Sequence, residues 1–180
     1  MNVYDLSIPG VKIIEPDVHE DHRGYLSVPF SVAGLRSFGI EYSIVQINQG
    51  YSKKVHTIRG MHFQTKPYEQ AKLVSANCGS FYSVAVDIRN DSSHFGQWCG
   101  EVISVENHRV MYIPKGFAHG YLTLEPDTIL QYCVDNEYNA KAAKALRYDD
   151  PEVGIHWPCE IDTATLAAKD LAAYRITELM

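Results

Sequence analysis

The chain has 180 residues, 46% of them apolar and 21% charged, a length and balance that suit one ordinary globular domain and exclude a disordered, collagen-like or mucin-like polymer. Lys plus Arg number 16 against 22 Asp plus Glu, and the net charge of −6 repels a phosphate backbone, so nucleic acid is not expected as a partner; one small phosphorylated ligand held by local cations is still allowed. No apolar run approaches the roughly 18 residues of a membrane helix, and Met1 to Gly10 lacks the basic start and apolar block of a secretory leader, so a cytoplasmic protein without a membrane partner is expected.

In chain order, Val11 to Ile14 and Gly24 to Val28 read as strands of an N-terminal hairpin or arm, and Ser31 to Phe38 as one or two helical turns. Short β-branched and aromatic runs follow at Tyr42 to Ile47, Ala71 to Ala76, Phe81 to Ile88, Glu101 to Val105, Val110 to Ile113, Tyr121 to Leu124 and Thr128 to Val134. Turn residues separate them, as at Asn77-Cys78-Gly79, Asn90-Asp91-Ser92 and Glu125-Pro126-Asp127. This spacing predicts an all-β sandwich or small antiparallel barrel rather than βαβ units. Ala164 to Tyr174 is Ala-rich enough to be helical. Without a repeat, linker or composition shift, residues 1–180 read as a single domain: an arm over about 1–40, a barrel over about 41–135, and a C-terminal tail and helix over about 136–180. Cys78, Cys99, Cys133 and Cys159 are spread singly and read as free thiols, not as a zinc or redox motif.

A small barrel that holds a ligand should carry polar residues at inward positions of otherwise apolar strands. Two segments are dense enough to do so. The first is Ile58-Arg59-Gly60-Met61-His62-Phe63-Gln64 with Lys72 shortly after, where glycine beside arginine and histidine is expected to bring the backbone close to a ligand. The second is Ile113-Pro114-Lys115-Gly116-Phe117-Ala118-His119-Gly120, a histidine between glycines that also reads as a plain tight turn. The eight histidines include no His-x-His pair, and two well-separated histidines do not supply the three protein ligands of a catalytic metal, so no metal is expected. What remains is acid–base chemistry. A neutral histidine accepts a proton near pH 7, a phenol such as Tyr132 donates one, and a lysine such as Lys72 stabilises an enolate oxygen.

The sequence resembles the dTDP-4-dehydrorhamnose 3,5-epimerase family, cupin-fold epimerases of 4-keto-6-deoxy nucleotide sugars. The matching segments run in the family's order and include Asp21-His22-Arg23-Gly24, Ile58 to Gln64, Ala71-Lys72-Leu73-Val74, Phe95-Gly96-Gln97-Trp98, Ile113 to Gly120, Tyr132, Asp149-Asp150-Pro151, Gly154-Ile155-His156-Trp157-Pro158 and Ala168-Lys169-Asp170. The resemblance implies a cupin-like antiparallel β-barrel, or jelly roll, with few short helices. It implies His62 as catalytic base, Asp170 as the carboxylate paired with it, Lys72 beside the developing enolate oxygen and Tyr132 as proton donor on the opposite face. It further implies Arg59, His119 and Lys169 around the diphosphate and sugar, Arg23, Gln46 and Asn48 near the nucleotide, no cofactor, and a homodimer in which N-terminal strands reach the partner.

The sequence departs from the family at three places. Val28 stands where a glutamate is common near the base, Gln46-Ile47-Asn48-Gln49-Gly50 stands where Gln-Asp-Asn-His-Ser is usual, and Glu137 replaces an aromatic residue near the sugar. These changes leave open the nucleotide (dTDP, CDP, GDP or UDP), the sugar, and whether C3, C5 or both are inverted. A 3,4-ketoisomerase and a non-catalytic sugar-nucleotide-binding cupin are the alternatives. The joint presence of His62, Asp170, Lys72 and Tyr132 argues against the second, since binding alone needs no base opposed by an acid.

Overall fold

The computed structural model describes residues 1–180 apart from the side chain of Ala164, the first residue of the expected C-terminal helix, which lies outside the described set. The strands are β1 (Asn2–Asp5), β2 (Lys12–Glu15), β3 (Val18–Asp21), β4 (Gly24–Ser27), β5 (Gln46–Ser52), β6 (Ile58–Gln64), β7 (Lys72–Cys78), β8 (Ser80–Asp87), β9 (Trp98–Ser104), β10 (Val110–Ile113), β11 (Phe117–Thr123), β12 (Thr128–Val134) and β13 (Ala143–Ala145). The helices are α1 (Val32–Ser37) and α2 (Ala168–Leu171), with 3₁₀ turns at Thr163–Thr165 and Ile176–Leu179. No described helix is long and apolar enough to cross a membrane.

Two antiparallel sheets make the expected jelly roll. One has the order β1-β2-β10-β7-β12-β5 and the other β13-β6-β11-β8-β9, while β3 and β4 form a separate hairpin. Because successive strand residues point to opposite faces, the burial of each strand tells which side chains meet between the sheets. Ile13, Val74, Met111 and Leu130 from the first sheet pack there with Phe81, Ala85, Ile103, Phe117 and Tyr121 from the second. The outer face of the second sheet carries Met61, Phe63, Val84, Val86 and Ala118, sealed by Leu146, Val153 and Ile176 of the C-terminal chain. The outer face of the first sheet carries Ile14, Leu73 and Cys133 and is covered by Leu35 of α1 with Ile40 and Tyr42.

This alternation positions the polar residues. On β6, Met61 and Phe63 face outward, so His62 and Gln64 face the interior; on β7, Leu73 faces outward and Lys72 inward; on β12, Cys133 faces outward and Tyr132 inward.

The structure shifts several expected elements. The run beginning at Tyr42 becomes a strand only at Gln46, because Tyr42 plugs the outer layer with its hydroxyl donating to the carbonyls of Ala71 at 3.2 Å and Cys133 at 2.5 Å. The predicted helix over Ala164–Tyr174 is reduced to one 3₁₀ turn and the four residues of α2. Ala167 offers no side-chain cap, and Tyr174 instead pairs with β13 through Tyr174 N to Ala145 O at 2.9 Å and Arg147 N to Tyr174 O at 2.8 Å. β2 lies hydrogen-bonded against β10 inside the large sheet, so this stretch of the expected arm is an integral strand; only β3 and β4 stand apart.

Candidate active site

A cavity of about 440 Å³ opens between the sheets, lined on one side by His62 and Gln64 of β6 with β13, on the other by Lys72 and Tyr132, and closed by Lys169 of α2 with Tyr138 and Tyr174 from irregular chain. His62 Nε2 lies 2.6 Å from Asp170 Oδ1; the carboxylate is almost wholly buried and the imidazole one-third exposed to the cavity. A carboxylate only accepts, so Nε2 carries the hydrogen and Nδ1 the lone pair, the arrangement of a general base whose tautomer is fixed from behind. Asp170 comes from α2, and β6 from the sheet, so the pair joins two elements that sequence spacing alone does not connect.

Lys72 faces the same cavity. Its Nζ donates to the His62 carbonyl oxygen at 3.1 Å, and complete burial pulls the ammonium down to about 8. The pull follows from desolvation alone, by the dry interior around it. A cation under this tension gains from an oxyanion forming beside it. The Tyr132 phenol is raised above its ordinary value, first by burial and then by the neighbouring phenol of Tyr121, with the Arg59 guanidinium opposing. It stays protonated at neutral pH, as a proton donor must.

Other expected residues are placed less directly. Lys169 lines the cavity. His119 is paired in register with His62 across β11 and β6 but is sealed behind the cavity wall, its Nε2 3.0 Å from Ser83 Oγ. Burial, with Lys72 and His62 adding to it, holds His119 well below the ordinary histidine value and therefore neutral. Arg59 points toward β5, donating from Nη2 to the Tyr51 carbonyl at 2.7 Å. Gln46 and Asn48 bond each other, Nε2 to Oδ1 at 2.5 Å, and Asn48 opposes Tyr132 in register. Arg23 is not brought to the cavity within one chain: it sits at the exposed tip of the β3–β4 hairpin, paired with Asp21 at 2.6 Å. Glu137 is exposed and off the cavity, whereas its neighbour Tyr138 lines it.

Gly60 serves a purpose other than the expected approach to a ligand. A Cβ there would lie 2.5 Å from Gly120 Cα, at a φ of +126°, where β6 bulges against β11; both positions need glycine so that the backbones can touch. Sequence reasoning missed Gln64 and Tyr138. The signal for Gln64 was its place two residues after His62 on one strand face, and for Tyr138 its retention beside the altered Glu137.

Among the described residues no group of three His, Cys, Asp or Glu side chains is placed to hold a metal ion. A jelly roll with a histidine–carboxylate pair set across an interior cavity from a lysine and a phenol defines a cupin-fold enzyme built for proton transfer at carbon. The profile of dTDP-4-dehydrorhamnose 3,5-epimerase matches residues 5–178, and the chain belongs to that family of carbohydrate epimerases. It is 39% identical to the dTDP-4-dehydrorhamnose 3,5-epimerase of Sinorhizobium fredii, over 99% of this chain and 91% of that one. The crystal structure of the Bacillus anthracis dTDP-4-dehydrorhamnose 3,5-epimerase with TDP and PPi bound is similar with a TM-score of 0.92 and 38% identity, over 97% of this chain and 98% of that one. The Legionella pneumophila dTDP-6-deoxy-D-glucose-3,5-epimerase, in complex with dTDP-4-keto-L-rhamnose, gives a TM-score of 0.92 at 36% identity, over 99% and 96% of the two chains.

Proposed function

We propose that this protein inverts C3 and C5 of a dTDP-linked 4-keto-6-deoxy sugar, in the cytoplasm, as a homodimer. The observation that carries the reading is His62, backed by Asp170 at 2.6 Å, on one wall of a cavity whose facing wall presents Lys72 and Tyr132. The C4 ketone acidifies the hydrogens at C3 and C5. His62 Nδ1 removes one, the electron pair moves onto the carbonyl oxygen, and the Lys72 ammonium stabilises that oxyanion. Tyr132 returns a proton to carbon from the opposite face, which inverts the centre. Imidazolium and phenolate then exchange with solvent, so each inversion carries a solvent hydrogen into the product.

The nucleotide assignment draws on the dTDP-handling relatives, and Lys169, Arg59 and His119 are the proposed diphosphate and sugar positions, with Gln46 and Asn48 toward the base. The homodimer is supported by exposed apolar side chains on β3–β4 and β5, with Leu26 70% and Ile47 58% exposed, surface that water does not favour. In it, Arg23 would serve the neighbouring cavity. The test is NMR in heavy water with dTDP-, CDP-, GDP- and UDP-linked 4-keto-6-deoxyglucose. Deuterium at C3 and C5 with dTDP preferred is expected. Preference for another nucleotide overturns that assignment, migration of the carbonyl to C3 identifies a ketoisomerase, and no exchange with any of the four defeats the epimerase reading.

A further inference from the structure

The segment 136–139 has no regular structure, yet three glutamine side chains bond its backbone residue by residue. Gln70 Nε2 donates to the Asn136 carbonyl at 2.8 Å, Gln64 Nε2 to the Glu137 carbonyl at 3.1 Å, Gln46 Oε1 accepts from Tyr138 N at 3.1 Å, and Gln64 Oε1 accepts from Asn139 N at 2.7 Å. Gln64 is 7% exposed, and its second amide hydrogen is used as well, to the Tyr68 carbonyl at 2.6 Å. Both sides of Tyr138 are thus fixed by one buried amide that projects from the same strand and the same face as His62.

We propose that Gln64 is a positioning residue: it sets Tyr138 as an aromatic wall of the cavity beside Tyr132, and so controls where the sugar ring rests between proton removal and proton return. The inference rests on the epimerase reading of the cavity. Tyr138 is otherwise held loosely, with 63% of its surface exposed, so the backbone bonds are what aim its ring. With the wall slack, His62 still removes a proton, but the enolate drifts from Tyr132 and takes its proton back on the original face. Exchange then continues while inversion fails.

The experiment compares Gln64→Met, which keeps length and loses all three hydrogen bonds, with Tyr138→Ala and the double variant, following dTDP-4-keto-6-deoxyglucose by NMR in heavy water. The ratio of exchange to inversion is expected to rise about tenfold in each single variant and no further in the double. An unchanged ratio in Gln64→Met, or effects that multiply in the double variant, overturns the proposal. A readout without substrate separates it from the epimerase reading: fluorotyrosine at position 138, followed by fluorine NMR. One resolved signal is expected in the parent protein, collapsing toward the solvent-exposed shift in Gln64→Met, and an unmoved signal refutes the proposal. Should Gln64→Met fail to fold, Gln46→Met, on the edge strand β5, removes the acceptor of Tyr138 N and is read by the same fluorine with the same outcomes.

Discussion

Half of the candidate site is carried by strands and half by irregular chain. His62, Lys72 and Tyr132 stand on β6, β7 and β12, where ladder hydrogen bonds and the packed interior fix the backbone. Asp170, Lys169 and Tyr138 stand on a four-residue helix and a loop, held by a few polar contacts at single points. On the proposed mechanism, the reacting groups stand where the fold is rigid, and the groups that tune and enclose them where single hydrogen bonds decide. Removing a strand-borne group should therefore abolish a chemical step, and removing a tether should change its efficiency.

The largest effect expected is for His62→Ala, a loss of about 10³–10⁴-fold in turnover with circular dichroism unchanged, since the proposed mechanism assigns proton removal to this imidazole. Asp170→Asn should fall less, by about 10²-fold, because an amide no longer holds the Nε2–H tautomer. If Asp170→Asn turns over like the parent protein, the loop-borne half has no part in the chemistry.

Lys72 sharpens the comparison because it links both activity and stability to pH. Its ammonium is held at about 8 in the folded chain, against an ordinary value of 10.5. Below about 8 both folded and unfolded chains hold the proton and burial of the charge destabilises the fold by about 3 kcal/mol. Between that value and the ordinary one the unfolded chain binds more protons, so stability rises with pH, and above it the penalty is gone. Lys72→Met is accordingly expected to lose about 10²-fold in turnover while melting several degrees higher at pH 7, and the stability advantage should vanish near pH 11. In the parent protein turnover should decline as pH rises through about 8, as the cation is lost. A Lys72→Met protein that melts lower at pH 7 would contradict this account.

Asp150 tests the tethers. It is 2% exposed; Oδ1 accepts from Glu152 N at 2.9 Å and Val153 N at 3.3 Å, and Oδ2 from Ile176 N at 2.8 Å. One carboxylate thus ties the chain after α2 to the outer face of the second sheet. Asp150→Ala leaves three N–H groups, two of them buried, without this acceptor, and a loss of about 3 kcal/mol, or roughly 6–12 °C in melting temperature, is expected by calorimetry. Turnover measured below the transition should fall only severalfold, because Tyr174 remains paired with β13.

The same division explains what the sequence made legible. Apolar strands such as Phe81 to Ile88 and Thr128 to Val134 announce themselves by β-branched and aromatic residues, and the structure places β8 and β12 there. β6 does not, because Arg59, Gly60, His62 and Gln64 interrupt the apolar pattern on the one strand most burdened with the cavity and the glycine contact with β11. Family resemblance, not periodicity, connected Asp170 with His62, since a contact across 108 residues leaves no local trace. The contacts of Gln64 and Asp150 were hidden for a related reason: their partners are backbone atoms, which every residue possesses, so no sequence pattern shows which ones they bond.

The β3–β4 hairpin is the region least explained by a single chain. A two-stranded hairpin is marginal in water, and this one shows Tyr25 57% and Leu26 70% exposed, with Val28 just after it 57% exposed, while Tyr25 makes an edge contact on His108, ring centroids 4.4 Å apart. If a second copy covers it, a charge at Leu26 is harmless to the monomer but is buried twice in a symmetric dimer. Leu26→Glu should then keep the parent melting transition of the isolated chain and its far-ultraviolet spectrum, while weakening self-association at least 10²-fold in sedimentation equilibrium, as about 3 kcal/mol of lost apolar burial over two copies requires. Its turnover at saturating substrate should change little, since His62, Asp170, Lys72 and Tyr132 all come from one chain. KM should rise a fewfold on dilution, through loss of the Arg23 that the proposed dimer would bring from the neighbouring chain. A Leu26→Glu protein that associates as the parent does would leave Arg23 stranded at a solvent-facing tip and remove it from the binding surface.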